Sequence, residues 1–226
     1  MIDILYEPFK AWSAKGSVYI ISDFHFSDAE SFVFRKASGI LPEDIDSIEA
    51  LDDYIVKSVN SVIGRSDTLV CLGDVGNIEQ VKRLKAGHKV LLLGNHDRGA
   101  DYYKRTIEVI DGVSRDNRLF DEVYSGPLMI SDKILLSHEP IVPLSPCFVN
   151  LFGHVHGQPY IISLGDGVKR YNFCAEAIGY LPKSLGKMIK DGLLSNVKDV
   201  HRIAIDGAIK RAKKRESSSC SKKVAR

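Results

Sequence analysis

The stretch Val18-Tyr-Ile-Ile-Ser-Asp-Phe-His25 sets the pattern of this chain, because a short apolar run stops at a cluster of His, Asp or Asn. Four later segments repeat it: Thr68-Leu-Val-Cys-Leu-Gly-Asp74, Val90-Leu-Leu-Leu-Gly-Asn-His-Asp97, Ile134-Leu-Leu-Ser-His138 and Phe148-Val-Asn-Leu-Phe-Gly-His-Val-His156. A run of four or five apolar residues bounded by Gly or polar residues predicts a buried strand. Ligands collect at the carboxyl ends of strands in open α/β sheets. The pattern therefore places polar side chains from five segments at one rim of a sheet.

Helix and strand signals alternate through the first half of the chain. A polar loop is expected over residues 27–41. An amphipathic helix follows, because apolar residues between Ile45 and Val62 recur at spacings of three and four. Asn77, with Gln80 three residues later, is expected to cap a short helix. With the strands of the repeated pattern, these signals predict a β-α-β-α-β first half.

Strands dominate the second half. They are expected near residues 123–130, 133–137, 148–152, 160–164 and 171–174. Helices are expected from about Ala100 to Ile110, after Pro182, and from about Val197 to Arg215. The whole pattern predicts one α/β domain with a mixed sheet system and helices outside.

Charge and cysteine content bear on partners and compartment. Residues 210–226 hold eight Lys or Arg and one Glu, whereas the rest of the chain carries 23 basic and 28 acidic residues. We therefore expect a domain over residues 1–209 and a basic, flexible tail over 210–226, which either contacts nucleic-acid phosphates or is simply solvated. The four cysteines show no CxxC spacing, and neither a signal-peptide pattern nor an apolar stretch of ~20 residues occurs. These features predict a reduced, cytoplasmic protein with no membrane partner.

The polar residues at the strand ends form a mixed set of oxygen and nitrogen donors. Asp23 and His25 are two apart in sequence, so in an extended chain both side chains point to the same side. His154 and His156 repeat that spacing, and Asp74 offers two carboxylate oxygens, enough to bridge two ions. The candidate metal ligands are Asp23, His25, Asp74, Asn95, His138, His154 and His156.

This donor set lacks sulfur, which argues against a structural zinc site. Mn²⁺ is the first choice, with Fe²⁺, Zn²⁺ and Mg²⁺ as alternatives. Seven ligands are too many for one tetrahedral ion, but they suit two ions about 3.5–4 Å apart that clamp an in-line displacement. Each short motif alone is weak, since Gly-Asp after a strand is usually a turn. The order of all five motifs, each at a strand end, carries the argument.

In this order the motifs resemble the signature of the calcineurin-like metallophosphoesterase superfamily: D-x-H, G-D, G-N-H-D or G-N-H-E, a later H, and G-H-x-H. Here they stand as Asp23-Phe-His25, Gly73-Asp74, Gly94-Asn-His-Asp97, His138 and Gly153-His-Val-His156. The chain is most similar to small phage and bacterial members, which share an ending like Asn172 to Glu176 followed by Tyr180-Leu-Pro-Lys-Ser-Leu185. The resemblance implies an α/β fold of four layers, α/β/β/α, in which two packed mixed sheets are flanked by helices.

The resemblance also implies a role for each motif residue. The ligands of the first ion would be Asp23, His25, Asp74 and His156. The ligands of the second would be Asp74, Asn95, His138 and His154. His96 would face the substrate phosphate and protonate the leaving oxygen, with Asp97 orienting its imidazole, while the two cations turn a bridging water into hydroxide.

Further residues are candidates for contacting the substrate phosphate. They are Asn95, Arg35 and Arg98, the last two because a guanidinium fork matches phosphate geometry. A solvated loop is the ordinary alternative for both arginines.

The expected activity is hydrolysis of phosphoesters, as a phosphodiesterase or phosphomonoesterase. The segment Gly73-Asp-Val-Gly-Asn-Ile-Glu79 lacks the Arg-Gly that protein phosphatases and dinucleoside tetraphosphatases of this superfamily carry, which makes those activities less expected. One alternative is a nucleic-acid-processing phosphoesterase, a nuclease or end phosphatase, that uses the basic tail. A remoter alternative is a non-catalytic scaffold on the same fold, although such proteins tend to lose ligands and this chain keeps them all.

Overall fold

The computed structural model describes residues 1–141, 148–165, 168–201 and 208–210. All of the expected tail except Lys210, and most of the expected helix from Val197 to Arg215, lie outside these ranges. The boundary between residues 209 and 210 therefore stays a prediction.

Twelve strands and six α-helices form the described part of the chain. The strands are β1 (Val18–Ile21), β2 (Thr68–Cys71), β3 (His88–Leu92), β4 (Ile107–Ile110), β5 (Val113–Asp116), β6 (Glu122–Tyr124), β7 (Leu128–Ser131), β8 (Ile134–Leu136), β9 (Val149–Phe152), β10 (Ile161–Ile162), β11 (Arg170–Asn172) and β12 (Lys183–Ser184). The helices are α1 (Glu7–Lys10), α2 (Ala29–Ala37), α3 (Ile48–Val62), α4 (Ile78–Val81), α5 (Ala100–Tyr103) and α6 (Leu185–Lys190), with 3₁₀ turns at Ala11–Ser13 and Glu176–Ile178. None of these helices is both long and apolar enough to cross a membrane.

Two five-stranded mixed sheets organise the molecule. The first has the order β12-β1-β2-β3-β6, with β12 antiparallel and the other four strands parallel. The second has the order β10-β11-β9-β8-β7, with the central three strands parallel and both edge strands antiparallel. One hydrophobic core contains residues of both sheets, among them Ile20, Val70 and Leu91 of the first and Ile134 and Leu151 of the second. The predicted fold class, with two packed mixed sheets and helices, is confirmed.

Helix α3 shows how the amphipathic pattern produces packing. Ser47 caps its amino terminus by accepting a hydrogen bond from the amide of Ala50 at 3.2 Å. Leu51, Ile55 and Val59, spaced at four, are buried in the core. The period of the apolar residues therefore sets which side of this helix packs against the sheets.

Two expected elements were wrong. The segment expected as a polar loop over 27–41 contains α2, which Asp28 caps by accepting from the amides of Glu30 and Ser31. The expected helix from Ala100 to Ile110 ends at Tyr103, and Ile107–Ile110 is a strand of the β4–β5 hairpin. Asp111 and Gly112 both have positive φ, at 53° and 75°, as a two-residue hairpin turn requires. The dipeptide Asp-Gly was the signal that could have identified this hairpin.

The packing of α3 predicts the result of a core truncation. Ile55 is 0% exposed, so Ile55→Ala should lower the free energy of unfolding by about 2–5 kcal/mol, because the lost methyl groups leave a cavity. Equilibrium urea unfolding measures this change. Lys57→Ala on the exposed side of the same helix is the control and should stay within about 0.5 kcal/mol. A loss below about 1 kcal/mol for Ile55→Ala would contradict the burial of this face.

Candidate metal centre

The strand ends turn through left-handed backbone at four of the seven predicted metal ligands. The φ angles are 57° at Asp23, 48° at His25, 53° at Asp74 and 70° at His154. Such a conformation costs a residue with a side chain on the order of 1–3 kcal/mol and persists only where the surroundings enforce it. These turns redirect the chain just after β1, β2 and β9, so that side chains from both sheets converge.

Hydrogen bonds between strand ends hold these turns. The amides of Asp23 and His25 donate to the carbonyls of Gly73 and Asp74, each at 2.9 Å. The ends of β1 and β2 are thereby tied together beyond the regular sheet. The two carboxylates that follow these strands are brought to one place by backbone contacts.

Asp97 has a structural position that differs from the predicted one. Its carboxylate accepts from the amides of Asp74, Val75 and Gly94 at 2.8–3.0 Å. No hydrogen bond joins it to His96 within the described ranges. The expectation that Asp97 orients His96 as a catalytic partner is therefore corrected, because Asp97 instead fixes the turns after β2 and β3.

One set of donors surrounds a point next to Asp23. Nε2 of His156 lies 3.4 Å from Asp23 Oδ1 and 3.2 Å from Nε2 of His25. Nε2 of His25 is 3.9 Å from Asp23 Oδ1 and 3.6 Å from Asp74 Oδ2. These are the four residues expected to hold the first ion, and the structure brings them together.

A second set lies on the other side of Asp74. Nε2 of His138 is 3.4 Å from Asp74 Oδ2 and 2.8 Å from Asn95 Oδ1. Nδ1 of His154 is 2.9 Å from the same Asn95 oxygen and 3.3 Å from Nε2 of His138. The residues expected to hold the second ion are therefore also grouped.

Asp74 faces both sets with a single oxygen. Its Oδ2 lies near His25 on one side and His138 on the other, whereas its Oδ1 accepts from the amide of His96 at 2.9 Å. A metal bound at 2.0–2.2 Å to each ligand holds neighbouring ligand atoms about 3.0–3.5 Å apart. Most of the observed spacings fall near that range, so the two sets of donors, with Asp74 common to both, have the spacing that would suit two divalent ions.

A buried acceptor at the first set supports the same fit. Asp23 Oδ1 is inaccessible to solvent and accepts no hydrogen bond of normal length within the described residues. The contact with Nε2 of His156, at 3.4 Å, is longer than a normal hydrogen bond and is electrostatic. A buried carboxylate oxygen without a donor is costly unless a cation satisfies it.

Three of the histidines have one ring nitrogen fixed by an acceptor. Nδ1 of His25 lies 2.8 Å from Asp28 Oδ2, and Nδ1 of His138 lies 2.8 Å from the carbonyl of Leu72. Nδ1 of His156 lies 2.5 Å from Glu176 Oε1. Carboxylates and carbonyls only accept, so Nδ1 carries the proton and the Nε2 lone pair of a neutral ring faces the centre. The sequence motifs assigned no role to Asp28 or Glu176; Glu176 ends the family-like segment that begins at Asn172, whereas Asp28 lies outside every motif.

Cys174 brings a sulfur atom that the expected donor set lacked. Its thiol lies 3.3 Å from Asp23 Oδ2, and together with His156 these residues form a compact group. Burial, and then the charges of Asp23 and Glu176, raise the pKa of this thiol far above its ordinary value. A protonated thiol donates to Asp23 and is a poor metal ligand, because metals bind the thiolate.

The carboxylates and imidazoles of the centre shift one another's pKa values. Burial alone would raise the pKa of Asp23, but His156 and His138 outweigh it and lower that pKa below its ordinary range. Burial would lower the pKa of His156, but interactions with Asp23 and Glu176 raise it to about 9. Metal ions and protons compete for these nitrogen and oxygen atoms, so metal binding here would release protons.

The predicted substrate-facing residues divide into two groups. His96, Asn95 and Arg98 are exposed, and the His96 ring centroid lies 5.3 Å from that of His25. His96 and Arg98 line an open cavity of about 580 Å³ that also reaches His25. Arg35, in contrast, is 0% exposed, so its predicted contact with substrate phosphate is corrected.

Two motif glycines lie where backbone and carboxylates approach each other closely. A Cβ at Gly94 would overlap Asp74 Oδ1, and a Cβ at Gly153 would overlap Ser22 Oγ and Asp23 Oδ2. Glycine is therefore required by the position of the metal-facing carboxylates and not by a turn alone.

Gly153→Ala tests this close approach. The added methyl group should displace Asp23 and lower metal content by about one ion per chain, as measured by elemental analysis after gel filtration. Gly64→Ala is the matched control, since its Cβ would meet only Asp67 Oδ2 at an ordinary 3.5 Å. Full metal content in a folded Gly153→Ala protein would show that the carboxylate tolerates the methyl group.

Comparisons with known proteins agree with this geometry. A family model described as calcineurin-like phosphoesterase matches residues 16–160. A crystal structure of a protein of unknown function from Aquifex aeolicus is similar with a TM-score of 0.55 and 22% identity, covering 77% of this chain and 98% of that one. At that identity the likeness concerns the fold alone.

Two further comparisons add no argument. A single mutant of Vps29 from Entamoeba histolytica is 17% identical over 70% of this chain and 74% of its own, with a TM-score of only 0.33. No curated protein is significantly similar in sequence.

The family match spans more than half of the chain and includes the strand-end motifs up to His156. The chain therefore belongs to the calcineurin-like phosphoesterase family.

Proposed function

We propose that this protein hydrolyses phosphoesters, diesters or monoesters, at a centre of two divalent metal ions, with Mn²⁺ as the first choice. The observation that carries the proposal is the position of Asp74 Oδ2 between two groups of nitrogen and oxygen donors. A structural zinc site needs only one closed set of ligands. Two adjoining sets that share one oxygen suit hydrolysis at phosphorus.

The chemistry divides between the ions and the chain. When bound, two cations would supply an activated water and would neutralise charge on the phosphate oxygens. The ligands would be Asp23, His25, Asp74 and His156 for one ion, and Asp74, Asn95, His138 and His154 for the other. Because carboxylates and carbonyls already hold the Nδ1 protons of three histidines, the donors are oriented before any ion binds.

His96 is the proposed acid for the leaving group. It is exposed beside His25 and lines the open cavity, and its amide is fixed by Asp74. An imidazole there reaches substrate without being a ligand, so it can give a proton to the leaving oxygen. Arg98, 4.6 Å above the Tyr102 ring, lines the same cavity and would hold a phosphate oxygen. Asn95 would contact the substrate from the second metal position.

Removal of metal should abolish activity. Chelator-stripped protein should lose hydrolysis of bis-p-nitrophenyl phosphate, and Mn²⁺ should restore it better than Mg²⁺ or Ca²⁺, because imidazole and amide donors are softer than an all-oxygen set. Initial rates with and without each ion measure this. Full turnover after verified metal removal would refute the proposed function.

His96→Ala separates catalysis from metal binding. It should keep both ions but lower the rate by about 10²–10⁴ for a substrate with a poor leaving group, the usual scale of acid–base assistance. The loss should shrink for p-nitrophenyl esters, whose leaving group needs no proton. If the metal content falls together with the rate, His96 is a ligand.

A second candidate function, nucleic-acid processing, is favoured by a basic cleft at the opposite edge of the first sheet. A cavity of about 570 Å³ is lined by Arg65, Lys85 and Arg118, with the buried Lys89 at its wall. A neighbouring cavity of about 330 Å³ shares Arg65 and adds Lys15. Arg65 and Lys85 lie before β2 and β3, whereas the metal ligands follow these strands.

The cleft is lined by more basic than acidic side chains. Its two acidic residues, Asp116 and Asp121, already pair with Arg105. Within the described residues, the side chains of Lys15, Arg65, Lys85 and Arg118 make no ion pair with a carboxylate. Such a surface would bind the phosphates of a nucleic-acid strand. The tail over 210–226, with eight Lys or Arg, would offer further cations to the same phosphates.

Charge reversal tests the cleft. Arg65→Glu with Lys85→Glu should weaken binding of a labelled single-stranded oligonucleotide about tenfold or more, measured by anisotropy in chelator to prevent cleavage. The slope of log K against log salt should become about 1.4 shallower, since each lost contact to a single strand contributes about 0.7. Lys57→Glu with Lys190→Glu, two exposed lysines elsewhere, gives the same net charge. If both double variants weaken oligonucleotide binding equally, the attraction depends only on net charge, and the proposal that the cleft binds nucleic acid is refuted.

A further inference from the structure

Arg35 is a buried cation that contacts two separate parts of the metal centre. Its guanidinium donates to the carbonyl of Asp23 at 2.6 Å and to that of Phe24 at 3.2 Å. It also lies 3.2 Å from Glu176 Oε2, and its side chain is 0% exposed. One side chain of α2 therefore joins the left-handed turn after β1 to the 3₁₀ turn after β11.

Glu176 extends this contact to a metal-facing ring. Its second oxygen, Oε1, lies 2.5 Å from Nδ1 of His156, while its side chain is only 2% exposed. The two oxygens of one carboxylate thus have different partners, Arg35 on one side and His156 on the other. On the far side of its ring, Nε2 of His156 lies 3.4 Å from Asp23 Oδ1.

We propose that the buried Arg35–Glu176 pair is a positioning device for the first metal ion, and that it acts on Asp23 through the backbone and on His156 through Nδ1. This inference rests on the proposed metal centre and adds to it two residues that touch neither ion nor substrate. The contacts form a closed ring from Arg35 to Glu176, His156, Asp23 and back. The side-chain donor atoms of His138 and His154 at the second position lie outside this ring, and the ring meets that position only where Asp23 Oδ2 accepts from the backbone amide of His154 at 3.0 Å.

A purely structural role is the competing explanation. A buried ion pair is weak evidence for stability, because desolvating both charges costs about as much as their attraction returns. Arg35 also has an orphaned Nε within the described structure, which is a poor arrangement for a residue kept for stability alone. Its planar fork, however, donates from two separate nitrogens to two carbonyls and a carboxylate, whereas an ammonium group donates from a single nitrogen.

Metal titration of the full chain distinguishes the two roles. Isothermal titration of chelator-stripped protein with Mn²⁺, and ion counts after gel filtration, should show two ions for the unaltered chain. Glu176→Ala should weaken one of them by about 10–100-fold, the usual effect of removing a group that orients a ligand, and leave the other within about threefold. Glu176→Gln, which keeps an oxygen facing His156, should lose less and should fold if the alanine variant does not.

A matched control uses the same pair of groups away from the centre. Glu122 lies 2.7 Å from Nε2 of His88 at the amino-terminal edge of the first sheet. Glu122→Gln should change the melting temperature without changing either metal affinity. Arg35→Lys should resemble Glu176→Ala, and the two changes together should cost less than their sum, because both break one network.

The outcomes are separable. Two ions with unaltered affinity in both Glu176 variants would overturn the positioning role and leave Arg35 and Glu176 as structural residues. Equal weakening of both ions would also overturn it, since general loosening of the fold would explain the result. A chain that binds two ions but cleaves no phosphoester refutes the proposed function and leaves this inference standing, because the titration contains no substrate.

Discussion

The left-handed turns at the strand ends are the constraint on which the rest of the centre depends. Regular strand geometry would send successive side chains to opposite faces and carry the chain away from the rim. A single residue with positive φ at Asp23, Asp74 or His154 reverses that course and leaves the side chain facing its neighbours. The strain is tolerable only because other groups fix the same turns.

Those groups are polar side chains that accept or donate at the backbone. Asp97 collects the amides around Asp74, and Arg35 binds the carbonyl of Asp23. Neither residue faces the metal positions, yet both set where a metal-facing carboxylate lies. The close approach of Gly94 and Gly153 to these carboxylates has the same origin, since no side chain fits between turns that are packed so tightly.

Electrostatics and geometry agree at this centre. Buried carboxylates accumulate negative charge, and fixed Nδ1 protons leave nitrogen lone pairs facing inward. A metal cation can bind the carboxylate oxygens and the nitrogen lone pairs at the same time, whereas a proton binds only one or two of these atoms. The opposite edge of the first sheet carries the contrary charge, in the cleft around Arg65 and Lys85. Within the described residues, the metal-facing carboxylates and this basic cleft therefore lie at opposite ends of β2 and β3.

The sequence by itself predicted the α/β fold class and the seven polar side chains at the strand ends, and the family resemblance divided these side chains between two ions. The prediction was possible because each motif is local: an apolar run and the residues that end it lie within about nine positions. The prediction failed at α2, because many residues of this helix are polar and its buried side includes Arg35. It also failed at the β4–β5 hairpin, because the Asp111-Gly112 turn was not recognised.

Only the tertiary structure decided how the surrounding residues act. Glu176 and Arg35 are 141 residues apart, and Asp97 binds amides 22 and 23 positions away. No periodicity or spacing reports such contacts, because they arise when separate strand ends are packed together. Arg35 thus changed from a candidate for binding phosphate to a buried residue of the framework, and Asp97 from a partner of His96 to the anchor of two turns. The local sequence determines which donor atoms are present at the strand ends. Their orientation depends on residues distant in sequence, such as Glu176 and Asp97, which only folding brings next to them.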